Sequence, residues 1–142
     1  MRVLGLDFGL KRVGLAVSDP TGTIATPLET IKRREGKRAP VTKLERIGRE
    51  LGVEHLVVGL PLSLKGHETD WCISVRRVGE DLANRLGIPV SFVDERMTSV
   101  HAERTVRSIG LKKQDREQKE RIDAAAAQLI LQAWLDEPRV AR

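Results

Sequence analysis

The chain has 142 residues, of which 40% are hydrophobic and 32% charged, and this composition excludes a disordered chain. The 25 lysines and arginines outnumber the 20 aspartates and glutamates, and the resulting net charge of +5 favours a polyanionic partner. No apolar run approaches the ~20 residues of a membrane-spanning helix, and the N-terminus lacks the apolar core of a signal peptide, so we expect a cytoplasmic protein with no membrane partner.

The chain begins with three predicted strands. Residues 2–7 and 13–18 are strand-forming, and the short connection between them suits a hairpin. The turn signal Asp19-Pro20-Thr21-Gly22 leads into a third strand around residues 23–32. Pro27 cannot donate a hydrogen bond to a ladder, which predicts that this strand lies at an edge of the sheet. Three antiparallel strands are therefore expected first.

Helices and strands alternate along the rest of the chain. The predicted helices are 41–51 and 71–86, each followed by a glycine, one that Thr98 or Ser99 caps and that ends near Gly110, and a last one over 118–136. Buried strands are predicted at 55–60 and 89–93. This order predicts an α/β fold, a mixed five-stranded sheet flanked by helices, in one domain over residues 1–142.

The one cysteine, Cys72, excludes an internal disulfide and fits a reducing compartment. It falls at the start of the second predicted helix, where we expect it in or beside a helix packing surface. We assign it no function.

Three acidic positions stand at the margins of apolar elements. Asp7 ends the first strand, and a carboxylate buried there needs a cation, a basic side chain or backbone donors. Asp94 and Glu95 end the last strand, where proteins with parallel strands commonly place their sites. Asp123 begins the apolar stripe of the last helix that Ala127 continues. These acids can converge at one end of a sheet.

A cluster of carboxylates repels itself and needs cations. Oxygen ligands favour Mg²⁺ or Mn²⁺, and two such ions ~4 Å apart would stabilise the attacking and leaving oxygens of a phosphodiester cleavage. The alternative is structural: Asp7 is a turn residue, Glu95 pairs with Arg96, and Asp123 pairs with Arg121 or Lys119. For the three acids together, the metal interpretation is favoured.

The basic residues form clusters that are either solvated faces or phosphate contacts. The clusters are Lys32-Arg33-Arg34 with Lys37-Arg38, Arg76-Arg77, and Lys112-Lys113. Aromatic residues are scarce, with two tryptophans, two phenylalanines and no tyrosine, which argues against a platform for base stacking. Contact with nucleic acid is therefore expected mostly at the sugar–phosphate backbone.

Four motifs in order carry a resemblance to a known family. "DFGLKRVGLAVSD", "VVGLPLSLKG", "VDERMTS" and "RIDAAAAQLILQAWL" resemble the YqgF (RuvX) family and span nearly the whole chain. Members are similar to Holliday-junction resolvases of the RuvC type and have the RNase H-like fold. The resemblance implies a metal-dependent nuclease for maturation of the 5′ end of precursor 16S rRNA, and with it an older assignment as a Holliday-junction resolvase.

Matching the motifs assigns roles to particular residues. Asp7 corresponds to the metal carboxylate of the first strand, Glu95 to the second and Asp123 to the carboxylate of the last helix. Lys11 and Arg12 correspond to the family's basic pair in the first hairpin, which could contact the scissile phosphate. We further expect nucleic-acid contacts at a set of downstream basic residues: Arg96, Lys112 and Lys113.

The chain departs from the family pattern at two places. Ser99 stands where the family commonly has a second threonine, which keeps the hydroxyl. The strand before Gly59-Leu60-Pro61 ends without an acid, whereas resolvases of the RuvC type have a glutamate on the corresponding strand. This chain is therefore expected to draw that ligand from Glu95.

Three other interpretations stay open. A DNA junction resolvase would need a two-fold dimer, so the chain could be a monomer or a homodimer. The first hairpin also resembles the phosphate-binding hairpin of actin-like and sugar-kinase ATPases, which close two such domains over a nucleotide. A non-catalytic module that binds RNA, a ribosome or a pre-ribosomal particle would need the basic clusters only, and buried acids would not help it.

Overall fold

In a computed structural model of the protein, the described residues are 1–33, 38–97 and 116–138, with the backbone alone described for residue 97 and for 116–124. Within these ranges the chain forms six strands and three α-helices. The elements are β1 (Val3–Phe8), β2 (Arg12–Ser18), β3 (Ala25–Pro27), β4 (Ile31–Lys32), α1 (Val41–Leu51), β5 (His55–Leu60), α2 (Asp70–Leu86), β6 (Val90–Asp94) and α3 (Arg116–Asp136). A single 3₁₀ turn, Glu95–Met97, follows β6 directly.

The strands form one mixed sheet in the order β3-β2-β1-β5-β6, with β4 also paired to β2. The pairs β1–β2, β2–β3 and β2–β4 are antiparallel, whereas β1–β5 and β5–β6 are parallel. The prediction of antiparallel strands followed by alternating helices and strands is confirmed. The carboxyl ends of β1, β5 and β6 consequently lie at the same edge of the sheet.

The predicted third strand is two strands, so the prediction of five strands is wrong by one. In β3, Pro27 pairs with Ala16, whereas in β4 Ile31 pairs with Val13. The edge chain thus uses one residue more than β2 over the same stretch, and this extra residue shifts the register and interrupts the ladder, as at a β-bulge. Pro27 lies on an edge strand, as predicted.

Helices cover both faces of the sheet. On one face α1 and α2 pack over Leu4, Leu6, Leu56 and Val58, and on the other face α3 packs over Val3 and Val57. Because side chains alternate along a strand, residues 3, 5 and 7 of β1 face α3. Gly5 permits a close approach there: a Cβ atom at this position would lie 2.7 Å from Cβ of Leu131.

The first two helices end at the glycines that the sequence predicted. Gly52 ends α1 with φ 65° and Gly87 ends α2 with φ 67°, a left-handed conformation that glycine adopts without strain. The Thr69 hydroxyl accepts a hydrogen bond of 3.2 Å from the backbone N–H of Cys72 and caps the start of α2. Cys72 is fully buried in the α1–α2 layer, as predicted, and burial raises the pKa of its thiol.

The predicted apolar stripe of the last helix is confirmed, since Ala127, Ile130 and Trp134 are buried. Two glutamines on α3 also bind the edge strand. Gln132 accepts a hydrogen bond of 2.9 Å from the Ala25 N–H, and Gln128 donates one of 3.1 Å to the Ala25 carbonyl. These bonds satisfy backbone groups that an edge strand would otherwise expose.

Two further predictions concerned a helix after β6 and the lack of a membrane-spanning helix. The predicted helix between Thr98 or Ser99 and Gly110 lies outside the described residues. Across the part of the chain that the structure describes, the helices are too short or too polar to cross a membrane.

Candidate active site

Asp7 is a buried carboxylate near the end of β1, with only 2% of the residue exposed. Strand alternation directs it to the face that α3 covers. The last pair of the β1–β5 ladder joins Leu6 to Val58, so the next residue of each strand brings Asp7 beside Gly59. The sequence prediction that this carboxylate ends a buried strand is confirmed.

Glu95 is the second buried acid of this region, with 7% exposed. It follows β6 directly, and the pair Gly59–Val93 places it two residues beyond the strand position next to Gly59. A Cβ atom on Gly59 would lie 3.0 Å from Oε1 and 3.2 Å from Cγ of Glu95. The Glu95 side chain therefore lies over Gly59, on the α3 side of the sheet.

Gly59 makes this arrangement possible, and the sequence analysis assigned it no role. In the sheet it lies between β1 and β6, level with Asp7 on one side and paired with Val93 on the other. A side chain here would meet Glu95 and also the Cδ1 atom of Ile130, 2.6 Å from the ideal Cβ position. Strand alternation could have identified it, because this pattern puts Gly59, rather than a branched residue, beside Asp7 on the face of the sheet that α3 covers.

The backbone of α3 runs antiparallel to β1 across this face. Near the start of the sheet, the Trp134 ring lies 4.6 Å from the ring of His55 on β5. Farther along, the Ala127 carbonyl oxygen lies 3.3 Å from the ideal Cβ position of Gly5. Earlier residues of α3 therefore lie toward the Asp7 end of β1. Asp123 is one helical turn before Ala127, but its side chain lies outside the described part of the chain, so its role stays a prediction.

Asp94 and Arg96, on either side of Glu95, form a hydrogen-bonded ion pair. The Arg96 guanidinium donates to the Asp94 carboxylate at 2.6 Å from Nη2 and 3.1 Å from Nε, and the Arg96 backbone N–H donates to Oδ1 at 2.9 Å. This carboxylate raises the pKa of the guanidinium. Arg96 also donates to the Leu64 carbonyl at 3.3 Å, which ties loop 61–69 to the end of β6. The predicted contact of Arg96 with nucleic acid stays a prediction.

The hairpin between β1 and β2 carries the basic pair predicted to contact phosphate. Its turn closes with a hydrogen bond of 2.8 Å from the Gly9 N–H to the Arg12 carbonyl, and Lys11 is exposed at the tip. The Arg33 N–H donates to the Lys11 carbonyl at 2.7 Å, and Arg12 pairs with Lys32 in the β2–β4 ladder. The tip thus brings four basic residues together just beyond Asp7.

The other basic clusters differ in their surroundings. Arg76 is bound to Glu68 and lies 4.8 Å from the centre of the Phe92 ring, so its charge is compensated within the protein. Lys112 and Lys113, predicted to contact nucleic acid, lie outside the described residues.

Among the described residues, two of the three predicted metal carboxylates are buried on the same face of the sheet at the ends of its parallel strands. The described residues include no group of three or more side chains, drawn from histidine, cysteine, aspartate and glutamate, that lie close enough together to hold a metal ion. Asp7 and Glu95 nevertheless supply oxygen donors from one buried face, and two such charges repel each other unless a cation compensates them. All-oxygen donors suit Mg²⁺ or Mn²⁺, so the residues present fit the predicted ions.

A family model and curated relatives match this chain over nearly its whole length. A family model described as RuvX, Holliday junction resolvase, matches residues 1–137. A relative from Chloroflexus aggregans named "Putative pre-16S rRNA nuclease" is 42% identical over 137 residues, which cover 96% of this chain and 94% of the relative. One of the same name from Thermosynechococcus vestitus is 42% identical over 134 residues, with 94% and 87% covered.

The fold is similar to a solved structure at lower identity. The Thermus thermophilus RuvC structure superposes with a TM-score of 0.58 at 19% identity and covers 95% of this chain and 94% of that chain. A second structure of the same protein, in complex with a Holliday junction substrate, has a TM-score of 0.57. This likeness supports the RNase H-like fold that the sequence motifs implied.

Proposed function

The chain belongs to the RuvX family, and from this premise we propose that it is a metal-dependent endonuclease that hydrolyses phosphodiester bonds in nucleic acid. One observation carries the proposal beyond the family: two acids, Asp7 and Glu95, are buried on one face at the carboxyl ends of parallel strands. Buried negative charge does not attract a phosphate, because both are anions. It does attract the cations that phosphate chemistry uses.

We assign the metal ligands to Asp7, Glu95 and Asp123, with Mg²⁺ or Mn²⁺ as the ions. When bound, such an ion supplies charge compensation at the phosphate and makes water a better nucleophile. Burial of Asp7 and Glu95 strengthens their interaction with a cation, because the surroundings screen charge less than bulk water does. Gly59 gives Glu95 the room to extend toward the level of Asp7.

The basic residues would bind and orient the substrate. Lys11 and Arg12 lie on the hairpin just beyond Asp7, where a phosphate near the carboxylates would pass. Arginine and lysine compensate the charge of such a phosphate and hold its oxygens through charge-assisted hydrogen bonds. Contacts from Arg96, Lys112 and Lys113 belong to the same proposal.

The substrate we propose is precursor 16S rRNA, cleaved in maturation of its 5′ end during ribosome biogenesis. The names of the curated relatives support this choice. With this substrate we propose a cytoplasmic protein whose partner is RNA, a ribosome or a pre-ribosomal particle. We propose one nuclease domain over residues 1–142, acting as a monomer or a homodimer.

The second candidate is a Holliday-junction resolvase, which the description of the family model favours. Symmetric cleavage of two strands would require a two-fold dimer with two acidic sites. Both candidates use the same carboxylates and differ in the nucleic acid that reaches them.

One assay separates these functions. Purified protein is incubated with precursor 16S rRNA and, in parallel, with a four-way DNA junction, each with Mg²⁺, with Mn²⁺ and with a chelator. We expect metal-dependent cleavage of the RNA that is lost in Asp7→Asn and in Glu95→Gln. The exposed Glu80→Gln is the charge-matched control and should cleave normally.

Each result has a separate meaning. Cleavage of the junction alone would favour the resolvase. Binding of RNA without cleavage by any folded preparation would favour a non-catalytic module. Activity that persists in both carboxylate variants, when melting curves show them folded, would contradict the metal site.

A further inference from the structure

A groove lined by arginines lies away from the acidic pair, between segment 38–42 and the outer side of α2. Its volume is about 590 Å³. The polar residues that line it are Arg33, Arg38, Thr42, Arg77, Asp81 and Arg85. We call this feature the arginine groove.

The charges of the arginine groove are unevenly compensated. Asp81, its one acid, is bound by Arg85 at 3.3 Å, and Arg85 also reaches Glu45 at 3.6 Å. Arg38 and Arg77 are exposed and, within the described ranges, have no carboxylate within 4.0 Å. The groove therefore presents at least two guanidinium groups whose charge the neighbouring described residues do not compensate.

The arginine groove is continuous with the first hairpin. Arg33, at one end of the groove, lies 5.1 Å from the centre of the Trp71 ring and donates to the Gly9 carbonyl at 3.4 Å. Its backbone N–H binds the carbonyl of Lys11 at the hairpin tip. Basic side chains thus follow one another from the hairpin beyond Asp7 to the outer side of α2.

The lining favours phosphate groups over bases or a nucleotide cofactor. Its apolar members are Ala39, Val41 and Val78, none of which offers a ring for stacking. A guanidinium can donate two parallel hydrogen bonds to one phosphate, and several in a row suit a chain of phosphates. The lining residues of α2 extend from Arg77 to Arg85, about 12 Å along the helix axis, so the groove runs for more than two helical turns.

We propose that the arginine groove binds the sugar–phosphate backbone of the nucleic-acid substrate, in a segment that flanks the bond held at Asp7 and Glu95. The proposal rests on the proposed function, because it assumes a nucleic-acid substrate. Binding through phosphates alone makes this contact independent of base sequence. It also makes affinity depend on substrate length, since a longer chain has more phosphates to place in the groove while it occupies the acidic site.

The test compares Arg77→Gln, the double variant Arg38→Gln/Arg77→Gln, and Lys43→Gln as a control. Lys43 is exposed on α1 and does not line the groove, and Lys43→Gln removes one positive charge, as Arg77→Gln does. Binding of a labelled single-stranded RNA of about 30 nucleotides and of one of about six nucleotides is measured by fluorescence anisotropy in chelator over a salt series. Metal-dependent cleavage of the long RNA is followed in parallel.

We expect the double variant to bind the long RNA more weakly, with a slope of log affinity against log salt that is smaller by about 1.4, equivalent to two phosphate contacts on a single strand. The short RNA, which has fewer phosphates to place in the groove, should lose less affinity and show a smaller change of slope. Lys43→Gln should resemble the wild type in both.

Other outcomes overturn the proposal separately from the function. If the wild type binds and cleaves but the double variant matches Lys43→Gln, the groove is not used and the nuclease function stands. Equal losses for the long and the short RNA would also contradict a flanking contact. Binding through the arginines without cleavage would retain the groove and refute the endonuclease, and a wild type that binds neither RNA would refute both.

Discussion

The Glu95 carboxylate occupies the space that a side chain on Gly59 would fill, with Oε1 3.0 Å from the ideal Cβ position. Gly59 is level with Asp7 in the neighbouring strand β1. The approach of the second acid to the first therefore depends on a residue that carries no functional group. An acid or a branched residue at this position of β5 would exclude Glu95 from it.

Replacement of Gly59 by alanine should therefore displace Glu95. The added methyl group would also meet Cδ1 of Ile130, so overpacking should lower the free energy of unfolding by about 1–3 kcal/mol. We expect loss of nuclease activity and of any stabilisation by Mg²⁺ or Mn²⁺, measured by cleavage and by melting temperature. Gly79→Ala is the control, because its methyl group would meet Phe92, away from the acids, at 3.0 Å. A Gly59→Ala protein with normal metal response and activity would contradict the role of this glycine.

Divalent ions should stabilise the folded protein. An ion that binds only the folded state raises the free energy of unfolding by about 2.7 kcal/mol at one hundred times its Kd, so the melting temperature should rise with Mg²⁺ or Mn²⁺. Asp123→Asn should abolish cleavage and this rise, while leaving the metal-free protein at least as stable, because it removes one repelling charge. Asp136→Asn, the same change at the far end of α3, should behave as wild type. Strong destabilisation of the metal-free Asp123→Asn protein would mean that this residue is structural.

Glu95 and Asp94 should differ in what their replacement damages. Asp94 binds the Arg96 guanidinium and its backbone N–H, whereas Glu95 lies over Gly59. Glu95→Gln should abolish cleavage and preserve substrate binding, since it removes charge and little volume. Asp94→Asn should reduce the rate less and the melting temperature more, because it weakens the ion pair with Arg96, the residue that ties loop 61–69 to the end of β6. A paired assay of rate and melting temperature checks the order, and the reverse order would assign the metal to Asp94.

Acid should destabilise the protein partly through Asp19. The Thr21 hydroxyl and the backbone N–H groups of Ile24 and Thr23 donate to its carboxylate and hold its pKa well below the usual range. A depressed folded-state pKa contributes stability that is complete above the unfolded value of about 3.9 and is lost as the pH falls toward the folded pKa. We expect the stability difference between wild type and Asp19→Asn to shrink below about pH 4. Urea midpoints at pH 6 and near pH 3 measure this, and a difference independent of pH would contradict the assignment.

Residue patterns along the chain were sufficient for the elements and for the candidate acids. Helical spacing identified the buried stripe of Ala127, Ile130 and Trp134, and glycines marked the ends of α1 and α2. These features depend on the geometry of a single helix or strand, which repeats every few residues and so leaves a local pattern. Asp7 was detectable for the same reason, as a charge at the end of an apolar strand.

Contacts between distant segments were decided by the tertiary structure. The space over Gly59, the hydrogen bonds from Gln128 and Gln132 to an edge strand, and the register shift that divides the third strand each join residues far apart in the chain. Arg33 next to Trp71 and the arginine groove arise in the same way. Such contacts depend on how close two elements pack and in which register, and no periodicity within either element encodes that distance.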